Sequence, residues 1–130
     1  MSNLVPQFSS LETQRDVNIT DVDDVSKCVV FSSRRSTGSD RTRYNKCFVT
    51  GELTNATSLR LMRKGTGTTV NTEWFRVKFN DDTAIQTGET IVSTSNPATQ
   101  DVSSVDLSRS GLYYTWRALD NDLTQVSVRG

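Results

Sequence analysis

The 130 residues suit one domain, or one domain and part of another, and a chain of that size buries a genuine core. Lysine and arginine number 15, aspartate and glutamate number 15, and histidine is absent, so the formal charge is zero. That balance argues against nucleic acid as the partner of the whole chain, and the missing histidine removes Ser-His-Asp and Cys-His nucleophiles and the commonest metal ligand. The start, Met1 to Phe8, has neither a basic nor an apolar signal region, and no apolar run approaches the roughly 18 residues that cross a bilayer. The expectation is a soluble product made in a cytoplasm, with no membrane partner. Asn18-Ile19-Thr20 and Asn55-Ala56-Thr57 match the glycosylation triplet and are read as chance in a threonine-rich chain.

Serine and threonine make up roughly a quarter of the residues, a composition that favours strands and turns over helix interiors. No window carries apolar residues at helical spacing for three turns. In chain order, Cys28-Val29-Val30-Phe31 predicts a strand, Cys47 to Gly51 a second, and Leu59, Leu61 and Met62 mark a third. Gly65-Thr66-Gly67-Thr68 predicts a hairpin turn, with the return strand over 70–79. On that strand Val70, Thr72 and Trp74 share one face, and Phe75, Val77 and Phe79 share the other. Ile85, Ile91-Val92, Leu112 to Trp116 and Val126 to Val128 mark further short strands. The pattern predicts an all-β fold, an antiparallel β-sandwich or small barrel-like sandwich.

An internal repeat organises these elements. Val22 to Lys27 aligns with Val105 to Arg109 when one residue is skipped in the first copy, matching Val22 with Val105, Asp23 with Asp106, Ser26 with Ser108 and Lys27 with Arg109. Each copy continues into an apolar strand, a polar loop and a second strand, Cys47 to Gly51 in one and Val126 to Gly130 in the other. A weaker echo pairs Phe8 and Gln14 with Phe79 and Gln86. Repetition implies one supersecondary unit used twice. The expected domains are an extended arm over 1–15, a β-sandwich repeat over 16–92, and a partial repeat, a C-terminal half-repeat hairpin, over 93–130. A lone hairpin is marginally stable, so the second copy needs cover, either by completing the first copy's sheets or, as the favoured source, from a neighbouring subunit.

A distinct pattern runs from Asp16 to Glu89: Val17 to Lys27, then Leu53-Thr54-Asn55-Ala56-Thr57-Ser58-Leu59-Arg60-Leu61, Val70 to Phe79, and Ile85-Gln86-Thr87-Gly88. This pattern resembles a β-rich repeat found in virion proteins of tailed bacteriophages. Glu73, Arg76 and Lys78 depart from that family's usual residues around the tryptophan. The resemblance implies the fold and a virion location, and no enzymatic activity.

Asp21, Asp23 and Asp24, and the pair Asp81-Asp82, do not follow the calcium-loop spacing and read as turns. Gly65-Thr66-Gly67 lacks the remaining glycine and lysine of a phosphate loop. No cofactor or metal is implied. A symmetric hairpin would place Cys28 opposite Cys47 and Phe31 opposite Tyr44, and Ser110 opposite Val126 in the second copy; free buried thiols are expected rather than a disulfide. Arg34, Arg35, Arg41 and Arg43 crowd one loop, and Tyr113, Tyr114 and Trp116 cluster in the second copy, which makes these seven the candidate interaction residues. Residues 1–25 carry net −4, residues 26–80 net +8 and residues 81–130 net −4, a pattern that would let acidic ends dock on a neighbour's basic belt.

The expected function is a non-enzymatic structural protein of a phage particle, a capsid decoration or cement subunit or a tail-associated subunit, joined by strand sharing to itself and to the major capsid or tail protein, as a homotrimer or larger symmetric assembly. The alternative is a receptor- or glycan-binding adhesin module of a tail fibre using Trp116, Tyr114 and nearby arginines. A polysaccharide depolymerase is a third and weaker reading, given the length and the missing histidine.

Overall fold

In a computed structural model, residues 7–36, 44–80, 82–93, 98–119 and 125–129 are described, and they form an all-β, antiparallel structure. The strands are β1 (Gln7–Phe8), β2 (Gln14–Asn18), β3 (Cys28–Ser36), β4 (Thr50–Asn55), β5 (Ser58–Met62), β6 (Val70–Lys78), β7 (Glu89–Ser93), β8 (Thr115–Ala118) and β9 (Gln125–Arg129). One helical turn, α1 (Tyr44–Cys47), precedes β4, and a 3-10 turn over Val25–Lys27 precedes β3. Three sheets result, with orders β1-β6-β3, β2-β5-β4 and β7-β9-β8.

The core lies between the first two sheets. Phe8 and Val70 from the first meet Leu59 and Leu61 from the second, all fully buried, with Val49 beside them. Val17, Val30, Leu53 and Trp74 close around this cluster. Alternation explains the set: in β5 Leu59 and Leu61 point inward while Ser58, Arg60 and Met62 do not, and in β6 Val70 and Thr72 are buried while Glu73 and Phe75 are exposed.

Several expectations are corrected. The segment expected as an arm supplies β1 and the start of β2, because Phe8 is the ring that fills the space between the leucines and Val70. The glycine-rich stretch does not close a hairpin: β5 and β6 belong to different sheets, and residues 63–69 carry the chain across. Cys47 ends a helical turn and is no strand residue, and Ile85 lies outside any strand. Cys28 stands opposite Lys78, Phe31 opposite Phe75, and Val126 opposite Ala118, because β3 pairs along its whole length with the distant β6. Both cysteines are free, Cys28 buried and Cys47 partly so.

The crossing between sheets is organised by Arg63, only 2 % exposed. Its Nε donates to the Glu12 carbonyl at 2.7 Å, Nη1 to the carbonyls of Lys46 at 2.8 Å and Thr68 at 2.5 Å, and Nη2 to the Ser9 carbonyl at 2.6 Å. Its guanidinium carbon lies 5.2 Å from the centre of the Phe8 ring. One cation thus ties together the β1–β2 turn, α1 and the crossing loop, and four carbonyl dipoles face its charge. Desolvation lowers the Arg63 pKa from its ordinary value. The loop itself is docked: Gly65 N donates to Asn45 O at 2.7 Å and Gly67 N to Ser10 O at 2.6 Å. Gly67 has φ +99°, a conformation that glycine adopts without strain.

The internal repeat is visible in hydrogen bonds. The Asp24 carboxylate accepts from Ser26 N at 2.9 Å and Ser26 Oγ at 2.6 Å; the Asp106 carboxylate accepts from Ser108 N at 2.9 Å and Ser108 Oγ at 2.7 Å. Lys27 N and Arg109 N each donate to the carbonyl of their aspartate. Cys28 Sγ and Ser110 Oγ donate to those same carbonyls. Asp24-Val25-Ser26-Lys27-Cys28 and Asp106-Leu107-Ser108-Arg109-Ser110 are therefore one turn used twice, 82 residues apart. The residue skipped in aligning the copies falls at Asp23, whose φ of 63° is the sole positive value among the described non-glycine residues. This corrects the sequence alignment, which matched Asp23 with Asp106.

The same offset relates the ends of β3 and β8, Ser36 and Ala118, which stand opposite Val70 and Val126 in their sheets. In both sheets the strand that comes last in sequence takes the central place. Consequently β9 matches β6 in position, rather than the strand near Cys47 as the sequence suggested. It is paired on both sides within the chain, by Glu89–Ser93 of β7 and Thr115–Ala118 of β8. That hairpin therefore finds strand partners within the chain, the first of the two expected sources.

Two predictions follow from these contacts. Arg63→Met should lower the free energy of unfolding by about 3–5 kcal/mol, since it strands several buried carbonyls, and Arg63→Lys should recover only part of that. Urea unfolding measures both, and a loss below about 1 kcal/mol contradicts the tie. For the turns, the hydroxyl of Ser26 and of Ser108, and then the backbone amide, hold the Asp24 and Asp106 carboxyls below the usual carboxylate range. Stability from a depressed carboxylate is present above its unfolded pKa and lost as pH falls through its folded pKa. Carboxyl NMR titration should therefore give depressed midpoints for both residues, and Ser108→Ala should raise that of Asp106 alone.

Candidate interaction surfaces

Strand β3 presents two faces, and each meets a different part of the second copy. On the outer face Phe31 stacks on its cross-strand partner Phe75, with ring centres 5.0 Å apart and planes 8° apart. Tyr113 caps Phe31 from the other side, with centres 4.4 Å apart. An open groove of about 470 Å³ runs here, lined by Phe31, Ser33, Glu73, Phe75 and Tyr113 among others. Phe75 remains 57 % exposed, which is unusual for a large ring at the middle of a strand. Ring faces flanked by a carboxylate and a hydroxyl provide a platform for an apolar or sugar-like partner.

On the opposite face, the Arg34 guanidinium lies 3.4 Å from the centre of the Phe48 ring, and Phe48 stacks on Trp116 with centres 3.9 Å apart. Arg34 is also 5.9 Å from the Trp116 ring, and Tyr44 lies 6.0 Å from Phe48. Cation–π attraction accounts for the arrangement. Partial desolvation lowers the Arg34 pKa from its ordinary value. Trp116 shares a sheet face with Ala118, which is fully buried, so this stack holds the third sheet to α1 and the first sheet.

The structure therefore divides the seven candidate residues. Arg34 and Trp116 pack the two copies together. Tyr113 joins the aromatic groove. Arg35 is exposed and, one residue from Arg34 on a strand, belongs to the other face. Tyr114 is 59 % exposed. Arg41 and Arg43 lie outside the described residues. The described arginines do not form one patch.

Sequence reasoning missed Phe31, Phe48, Phe75 and Glu73. The alternation of Phe75 with Val77 and Phe79 carried a signal for an apolar outer face, whereas Phe48 carried none. The aspartates are committed to local structure: Asp21 accepts from Asp23 N at 2.8 Å, Asp23 pairs with Lys78 at 2.8 Å, and Asp24 caps its turn. Lys78 accordingly holds the Asp23 carboxyl below the usual range. Asp81 lies outside the described residues, among which no group of three or more acidic or cysteine side chains is placed to hold a metal ion. No described helix is long and apolar enough to cross a membrane.

No family model matches the chain, and no curated protein or solved structure matches it either.

Removing a ring on which the third sheet rests should separate packing from display. Trp116→Ala should cost about 2–3 kcal/mol of stability, and Tyr114→Ala less than about 0.5 kcal/mol, in parallel urea titrations. Equal effects would contradict the division made above.

Proposed function

We propose that this chain is a non-enzymatic structural component of a tailed-phage particle, either a capsid decoration or cement subunit or a tail-associated subunit. The observation that carries this reading is the duplication. A two-sheet unit is followed by a second copy that keeps the first sheet's strand order and its Asp-Ser turn while having no counterpart of the second sheet among the described residues. A repeat of this kind suits assembly surfaces, since each unit rests on its neighbour. The sequence resemblance supplies the virion setting, and the sandwich arrangement belongs to the same proposal. Partners are further copies of the chain and the major capsid or tail protein, in a symmetric assembly such as a trimer, with strand sharing at sheet edges.

A glycan-binding module of a tail fibre is the second reading, favoured by the aromatic groove with Glu73 at its side. On that reading the contact would fall on Phe75 and Tyr113, since Trp116 is occupied by Phe48 and Arg34.

Quantitative mass spectrometry of purified particles tests the first reading. The chain should be present at a fixed copy number that fits the particle's symmetry, and its absence from particles while abundant in infected cells would contradict a virion role. On a glycan array, specific binding abolished by Phe75→Ala would favour the second reading.

A further inference from the structure

The two copies differ most in what covers the segment ahead of the Asp-Ser turn. In the first copy this segment is β2 and the residues after it. Val17 and Ile19 pack on the core, and Val22 is 3 % exposed. Their cover is the β4–β5 hairpin: β2 pairs with β5 along its length, Ile19 N donates to Thr57 O at 2.9 Å, and Val22 N donates to Ala56 O at 2.9 Å.

With Asp23 as the extra residue, Val102 corresponds to Ile19 and Val105 to Val22, 83 residues on in each case. Val102 is 64 % exposed and Val105 44 % exposed. Every residue from 98 to 114 is exposed. The same apolar spacing is thus kept in the second copy without its cover.

The segment is nevertheless held in place. The Gln86 side chain accepts from Ser103 N at 2.6 Å and donates to Ser103 O at 3.2 Å, satisfying one residue's backbone as a paired strand would. The turn Asp106–Ser110 fixes the other end. Between 98 and 108 the charged residues are Asp101 and Asp106, both acidic. In the first copy, β2 offers Asp16 to Arg60 of β5 through two hydrogen bonds of 2.9 and 3.0 Å. The position of Asp16 is taken by Thr99 in the second copy, and the carboxylate there is Asp101, two residues on.

We propose that residues 98–107 are the seat for a β-hairpin of the β4–β5 kind, donated by a neighbouring subunit. The donor is a two-stranded ribbon with apolar side chains alternating along the strand that pairs with 98–102, as Leu59 and Leu61 alternate in β5. Val102 and Val105 enter its apolar face, and its turn caps Val105 as Ala56 and Thr57 cap the first copy. Only the source of the hairpin rests on the assembly reading above; the seat rests on the equivalence of the two copies.

The test titrates a labelled, backbone-cyclised peptide spanning Thr50–Met62 against the full chain by fluorescence anisotropy, cyclisation holding the ribbon in its paired form. Saturable binding at one peptide per chain is expected. A buried carboxylate opposes such a contact, so Val102→Asp should weaken binding at least about tenfold, while Leu112→Asp, 87 % exposed but outside the seat, should change it less than about twofold. Both variants alter exposed side chains, and unchanged urea midpoints confirm that they fold. No saturable binding, or binding equally strong with Val102→Asp, overturns the proposal. Absence of the chain from particles would remove the assembly reading and leave the peptide result standing.

Discussion

Four backbone carbonyls from three separate segments converge on the guanidinium of Arg63, and the two-sheet unit depends on that convergence. A buried cation is expensive to desolvate, and carbonyl dipoles make it tolerable only when each is well directed. The arrangement fixes three things together: the turn after β1, the helical turn before β4, and the loop that takes the chain from the second sheet to the first. Phe8 lies under the same group, so a strand of two residues gains a fixed position at the edge of the first sheet. Short as β1 is, its ring closes the core with Leu59, Leu61 and Val70.

The second copy reuses part of this plan. It keeps the sheet order and the Asp-Ser turn but has no described counterpart of α1, β4 and β5. Its central consequence is an imbalance of burial: apolar positions that the first copy covers are exposed in the second. The apolar face of β8 finds cover in the first copy, through Trp116 on Phe48 and the buried Ala118. Val102, Val105 and Leu107 stay exposed, with no cover among the described residues. A duplicated unit whose second member leans on the first while a segment stays exposed is the imbalance from which the proposed assembly role is argued.

Strands whose side chains alternate between core and solvent were legible in the sequence, as in β5 and β6. The turn pair was legible because Asp and Ser recur at fixed spacing, although the extra residue was misplaced: only the hydrogen bonds reveal that Asp23 is the insertion. Nonlocal pairing was not legible. Nothing near Cys28 announces that its partner is Lys78, so a local hairpin with Cys47 was the natural expectation. The glycine-rich loop reads as a hairpin turn in sequence because its real constraint, a buried arginine contacting distant carbonyls, leaves no local mark. The aromatic groove was half legible, since Phe75, Val77 and Phe79 were placed on one face while the partners Phe31 and Tyr113 come from other parts of the chain.

Amide hydrogen exchange resolved to single residues tests the duplication and its imbalance most directly, because it reports backbone cover position by position. The account predicts that amides of residues 98–105 exchange at least about 100-fold faster than those of Asp16–Val22, with Ser103 slowed relative to its neighbours by its bond to Gln86. Equal protection of the two segments in the isolated chain would contradict it, since the second copy would then be as fully covered as the first.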